Sequence, residues 1–254
     1  MTNYKILLQY DGSRYHGWQV QKNTDMTIQG KLEQLLFKLT GEAVEVHGSG
    51  RTDAGVHAYG QVANFKLRRE ITEDQLLRDL NHYLPSDIAV LTVEKVPERF
   101  HSRLSAVRKT YRYRIWTSEI PNVFERRFVT AFTQDLDVTK MKQAAGYLTG
   151  THDFTSFCGN RRFKKSAVRT IEQIRIEEKE REIVIWVTGN GFLQNMVRIL
   201  TGTLVAVGTG EIAPDQIPAV LEGKNRDLAG STMPPEGLAL MSVEYETIRQ
   251  DTGN

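Results

Sequence analysis

Two stretches of this chain run through the same order of elements, strand, helix, strand, strand, helix, strand, and that recurrence limits the fold more than any other feature. In the first stretch, residues 4–10 read as a strand, and Ile28, Leu32, Leu35, Leu36 and Leu39 then recur at helical spacing up to a stop at Gly41. Residues 43–46 and 61–67 read as strands. Thr72 followed by Gln75 is a capping pattern that opens a helix through Tyr83, and residues 88–96, rich in β-branched side chains, read as a strand. The second stretch repeats the order: strand 109–116, helix 138–148, strands 170–176 and 183–188, helix 192–207 and strand 239–245, with short helices expected around 215–221. The element order repeats without any repeat in the sequence itself. The expected fold class is therefore α+β: two ferredoxin-like (RRM-like) β-α-β-β-α-β halves with mainly antiparallel sheets, each covered by helices on one face, and a central cleft between them. The boundary falls near Ser105, where Pro97 and charged residues interrupt the apolar pattern, giving halves 1–105 and 106–254.

Between the strands at 43–46 and 61–67 lies the run GSGRTDAGVHA, residues 48–58. It sets a single carboxylate, Asp53, beside Arg51 and Thr52 in a glycine-rich loop. Gly50 and Gly55 allow sharp turns and close approach, and Ala54 and Val56 are too small to screen the carboxylate from a ligand. One reading makes Asp53 a reactive group. The other makes the run a hairpin connection whose Asp and Thr satisfy local backbone donors.

Two further segments carry charge in informative places. FHSRLSAVRKTYRYR, residues 100–114, interleaves Arg103, Arg108, Lys109, Arg112 and Arg114 with Phe100, Tyr111 and Tyr113. On a strand, Lys109, Tyr111 and Tyr113 share one face and Arg108, Thr110, Arg112 and Arg114 the other, so aromatics can cover a base while cations meet phosphates. A solvated edge strand with its tyrosines in the core has the same pattern. NRRFKK, residues 160–165, adds a second basic cluster on a loop. In the helix expected at 192–207, Arg198 stands among Phe192, Met196, Ile199, Leu200, Thr203 and Leu204. An arginine there either pairs with a carboxylate or reaches out to the surface.

Composition excludes several classes. The net charge of +2 gives no global argument for a polyanion partner, so local basic clusters must carry that case. Cys158 is the only cysteine, which rules out an internal disulfide framework, fits a reducing compartment and reads as an inert thiol. No leader pattern opens the chain, and the apolar run 192–207 is too short and too polar to span a bilayer, so a cytoplasmic protein without membrane contact is expected. No dinucleotide-binding or P-loop pattern is present, Ser49 lacks the context of a hydrolase nucleophile, and His47 and His57 lack an obvious third ligand. Neither a cofactor nor a metal is expected.

The run GRTDAGVHA resembles the signature of the tRNA pseudouridine synthase A (TruA) family. YDGSRYHGWQVQ at 10–21, KTYRYR at 109–114, THDFTSF at 151–157, FLQNMVRILTG at 192–202 and PPEGLAL at 234–240 are similar to further family segments, so the likeness runs from end to end. Asn195 stands where some members have histidine. The resemblance implies an isomerase that converts uridine to pseudouridine at positions 38, 39 and 40 of the tRNA anticodon arm, acting as a homodimer. It implies that Asp53 is the catalytic carboxylate, that Arg198 is its partner, and that Tyr111 lies against the target base. On that reading Arg198 holds Asp53 ionised through a bidentate pair that keeps its pKa low. Arg51 and Thr52 flank the carboxylate as substrate-binding residues, with Arg51 filling the position of an extruded base. A non-catalytic RNA-binding or tRNA-chaperone protein is the alternative from another class. A base-releasing hydrolase would need a second acid, which the motif does not offer.

Overall fold

The computed structural model describes residues 1–246. β1 (Thr2–Tyr10) turns Tyr4, Ile6, Leu8 and Tyr10 into the core at alternate positions, as a strand with one covered face must. α1 (Ile28–Thr40) starts where the Thr27 hydroxyl accepts from the Gly30 N–H at 3.2 Å and ends at Gly41. After the two-residue β2 (His47–Gly48) and β3 (His57–Leu67), α2 (Glu73–Tyr83) is capped by Thr72 on the Gln75 N–H and buries Leu76 and Leu80; β4 (Ile88–Val96) follows. The second stretch comprises β5 (Ala106–Trp116), β6 (Thr130–Ala131), α3 (Val138–Leu148), β7 (Gly150–Asp153), β8 (Val168–Lys179), β9 (Glu182–Gly189), α4 (Met196–Gly208), α5 (Ile217–Glu222) and β10 (Leu238–Tyr245).

The strands form one mixed, mainly antiparallel sheet in the order β4-β1-β3-β10-β5-β9-β8-β7, with β2 on β3 and β6 on β5. Within the first stretch the order is β4-β1-β3-β2 and within the second β10-β5-β9-β8, all antiparallel. Each is fourth, first, third, second, the order of a split β-α-β unit. The expectation of a separate sheet for each half is corrected: β3 and β10 pair in parallel, Ala239 opposite His57 and Leu240 opposite Ala58, fusing the two into one. The physical reason is the brevity of β2, which covers β3 only at Ala63 and Asn64 and leaves its start open. Gly60 permits the approach, since a Cβ there would lie 2.3 Å from the Met241 carbonyl oxygen.

Two further expectations change. Residues 43–46 are not a strand: Val44 and Val46 are buried, giving strand-like alternation, but the Val46 N–H donates to the Glu33 carboxylate at 3.0 Å instead of to a neighbouring strand. The helix expected from Phe192 begins only at Met196, because Asn195 adopts a left-handed conformation (φ 58°) that a helix cannot contain. Residues 192–195 form a loop instead. Among the described residues no helix is long and apolar enough to cross a membrane.

α4 is buried on all sides, and Gly202 lets the segment before β10 cross it closely: a Cβ on Gly202 would lie 1.8 Å from the Ser231 carbonyl oxygen. Gly202→Ala is therefore expected to lower the unfolding free energy by about 1–3 kcal/mol, as overpacking does. Urea denaturation with an unchanged slope and a lower midpoint checks this; an unchanged midpoint contradicts the contact.

Candidate active site

The loop between β2 and β3 carries Arg51, Thr52 and Asp53, and the amino-terminal motif clamps it. The Trp18 N–H donates to the Thr52 carbonyl at 3.0 Å, and the Gly55 N–H to the Tyr15 carbonyl at 3.2 Å. The Tyr10 and Thr52 hydroxyls share a hydrogen bond of 2.9 Å, and buried Gln61 accepts from the Ser49 hydroxyl at 2.6 Å while donating to the Gly50 carbonyl at 3.1 Å. His57 closes the loop, its Nδ1 accepting from the Gly12 N–H at 3.0 Å. Every polar atom so engaged removes a way for the loop to relax. The hydroxyl of Thr52 thus faces Tyr10 and fixes the loop, whereas Arg51 is exposed and forms no ion pair among the described residues.

Asp53 and Tyr111, far apart in sequence, line one cleft, and Arg198 of α4 brings its Nη1 to 3.7 Å from the Asp53 Oδ2. The expected bidentate pair is not formed. Arg198 spends its Nε on the Met233 carbonyl at 2.6 Å and directs Nη1 also to the Asn195 side-chain oxygen at 3.3 Å, leaving one long contact to the carboxylate. The expected low pKa is corrected with it: burial raises the Asp53 carboxyl above its ordinary range, and the Arg198 charge only partly offsets that. Tyr111 is buried on β5 and meets Phe192 edge to face at 5.1 Å. Burial, with Tyr10 and Asp53 nearby, pushes its hydroxyl up, so at neutral pH it is a phenol whose O–H can donate a hydrogen bond.

The cleft encloses about 470 Å³ and has an apolar floor that includes Tyr111, Phe192 and Leu238. Arg51, Arg103, Lys109, Lys165 and Arg169 surround it, and Asp53 is the one carboxylate among its described lining residues. A net positive hollow with one acid suits an anionic ligand with a reactive centre. Lys109 donates to the Ser49 carbonyl at 2.6 Å, and burial together with the Arg103 charge lowers its pKa to about 8. Phe192 and Arg169 are additions to the residues singled out from sequence. Phe192 looked like part of a helix face, and only the left-handed Asn195 turns it into the cleft.

On the opposite face of β5 the three arginines are engaged within the protein. Arg108 is held by Glu172 at 2.7 Å and Glu244 at 2.9 Å, Arg114 by Glu182 at 2.5 Å and by Glu125, and Arg112 lies over the rings of Tyr59 and Trp186. Cross-strand carboxylates that a single strand's pattern does not reveal neutralise that face. In the 160–165 cluster, Asn160, Phe163 and Lys165 reach the cleft while Arg161 pairs with Asp227 at 2.5 Å. Among the described residues no group of three or more His, Cys, Asp or Glu side chains is placed to hold a metal ion.

A family model described as tRNA pseudouridine synthase matches residues 6–104 and 144–246. The chain is 44% identical over 245 residues to tRNA pseudouridine synthase A 2 of Bacillus anthracis, covering 96% of this chain and 100% of that protein. It is 47% identical over 249 residues to tRNA pseudouridine synthase A of Listeria monocytogenes serovar 1/2a, covering 97% and 100%. A solved Cbf5-Nop10-Gar1 complex aligns with 96% of this chain and 50% of that chain at a TM-score of 0.41 and 11% identity, too slight a likeness to argue from.

The raised carboxyl at Asp53 has a measurable consequence. Between the ordinary value of 3.8 and its folded value, the folded chain binds more protons than the unfolded one, so this group's contribution to stability falls as pH rises through that window. Asp53→Asn has no such proton to lose. The variant is expected to melt at or above the wild-type temperature at pH 7, with the gap closing as pH falls to about 4. A variant that melts lower at pH 7 would show that the Arg198 contact outweighs burial.

Proposed function

The chain belongs to the tRNA pseudouridine synthase family, and from that premise we propose that it isomerises uridines at positions 38, 39 and 40 of the tRNA anticodon arm. The reaction breaks the bond between N1 of uracil and C1′ of ribose, turns the base while it stays bound, and joins C5 to C1′. C5 loses a proton and N1 gains one, so product and substrate are isomers and neither oxidant nor group donor enters. The observation that carries this reading is the placement of Asp53 as the one carboxylate in a cationic cleft, beside Tyr111 and Arg198.

Asp53 acts as its carboxylate. Attack on C1′, attack on the base, and removal of the C2′ proton all begin from that ion at the junction of ribose and uracil. Arg198 favours the charged form against burial and fixes its direction. Tyr111, neutral and buried, covers the uracil, limits its rotation and offers a hydrogen bond. The target lies inside an RNA stack and has to be extruded, and exposed Arg51, at the mouth of the cleft, takes the vacated place. Thr52 supports substrate binding by holding the loop against Tyr10.

Residues 1–105 and 106–254 act as two halves of one site, the first bringing Asp53 and the second Tyr111 and Arg198. Exposed Arg103 and Lys165 meet phosphates around the cleft, so recognition follows the shape of the RNA across neighbouring positions. Ile120, Val123 and Phe124 are 66, 60 and 94% exposed, an apolar patch that supports a homodimer. The enzyme works in the cytoplasm, where its tRNA substrate is. A base-releasing hydrolase would want a second acid in the cleft, and none of the described lining residues supplies it.

Carbodiimide-adduct mapping of an unmodified tRNA transcript tests the proposal. Wild type is expected to give adducts at positions 38 to 40, and Asp53→Ala is expected to reduce their rate of formation by at least about 10³-fold while still binding the tRNA. Adducts from both proteins at similar rates, or from neither, would sink the reading.

A further inference from the structure

Beside the cleft lies a second hollow of about 470 Å³ that the chemistry above does not use. It shares Gly50, Arg51, Arg103 and Lys165 with the cleft, so the two are continuous and cations stand at their junction. Its far wall is the pair His47 and His101, whose rings stack at 4.9 Å and 30°. Glu45 is the one carboxylate among its described lining residues; its Oε1 lies 3.7 Å from the His47 Nδ1, and its side chain is mostly in solvent.

The wall is held in place by polar groups deep in the protein. Asn3, Asn64 and Ser102 are each at most 2% exposed. The Ser102 N–H donates to the Asn64 side-chain oxygen at 2.8 Å and its hydroxyl to the His47 carbonyl at 2.5 Å, tying the turn that bears His101 to the strand that bears His47. Asn64 donates to the Asn3 side-chain oxygen at 3.1 Å, and Asn3 donates to the carbonyls of Pro97 and Phe100. Tyr245 donates to the Ser102 carbonyl at 2.8 Å. A buried polar network of this kind is expensive unless every member is satisfied, and what it fixes here is the backbone from Phe100 to Arg103. The Arg103 N–H donates to the His101 Nδ1 at 3.1 Å, which sets the ring's orientation. Burial and the neighbouring His47 lower the His101 pKa, leaving a neutral imidazole at physiological pH.

A flat ring surface beside exposed cationic side chains is what a base and its phosphate require. Resting on the function proposed above, we propose that the hollow walled by His47 and His101 is a second nucleotide subsite: it takes the RNA residue next to the extruded uridine, with the phosphate between Arg103 and Lys165 and the base against the histidine pair. The subsite guides the strand as it leaves the catalytic cleft.

The test is a binding cycle in the non-reacting Asp53→Ala background, using fluorescence anisotropy with an unmodified anticodon stem-loop RNA. Two further RNAs are abasic at the nucleotide on either side of the target uridine. The protein with both histidines is expected to lose at least 3-fold in affinity for one of the abasic RNAs. His101→Ala and His47→Ala are expected to lose at least 3-fold for the intact RNA and to be indifferent to that missing base, and His101→Phe is expected to restore the discrimination. Equal losses on intact and abasic RNA, or no loss for either alanine variant, would overturn the subsite. Should His101→Ala fail to fold, His47→Ala and His101→Phe decide alone. The cycle reads binding only, so a wild-type protein that makes no pseudouridine would fail the proposed function while the subsite is still decided.

Discussion

The site depends on one short parallel contact, the pairing of His57 and Ala58 with Ala239 and Leu240. It joins two antiparallel units edge to edge, and the loop bearing Asp53 leaves the sheet immediately before it. Because β10 also pairs along β5, the same strand places Tyr111 under that loop. The segment entering β10 completes the link from the other side: the Met233 carbonyl grips Arg198, and the Pro235 ring packs against Gly55 in the loop that bears Asp53. Three residues distant in sequence thus meet through a few backbone pairings. A longer β2 would cover the start of β3 and keep them apart.

Within that frame the site works by balancing opposed effects on one carboxylate. Burial disfavours the charge on Asp53, and Arg198 restores part of what burial takes away. The arginine is not free to do more, since Met233 and Asn195 hold it. Its single long contact leaves an oxygen of Asp53 unencumbered, whereas a closed bidentate pair would occupy both. Around this centre the cations lie at the rim and the aromatic rings at the floor, an order suited to phosphates outside and a base inside.

Much of this was legible in the sequence, for local reasons. α3 falls at its expected residues, α1 follows from apolar spacing that ends at Gly41, and α2 from a threonine cap whose hydroxyl makes the expected bond. Asp53 stood out because its glycine-rich loop combines residue types that a core does not need, whereas Tyr111, which the strand pattern fits equally to the core, was singled out by the family resemblance. What was not legible depends on partners distant in the chain. The β3–β10 join needs both edges to be known, and the neutralisation of Arg108 and Arg114 depends on carboxylates that arrive from other strands and a loop. Residues 43–46 and 192–195 misled because burial without regular backbone pairing produces the same apolar rhythm as a strand or a helix. Arg198 announced that it needed partners, yet nothing in its helix indicated that a carbonyl and an amide would take most of its donors.

Asp53, so placed, is proposed to move C5 of uracil onto C1′ of a tRNA uridine. The most direct measurement is tritium release from a tRNA transcript carrying 5-³H-uridine, in a single turnover, with free uracil measured in the same samples. The account predicts that tritium passes to water only when Asp53 is present, and that no free uracil forms. Tritium retained in the RNA, or uracil released with it, would contradict the account.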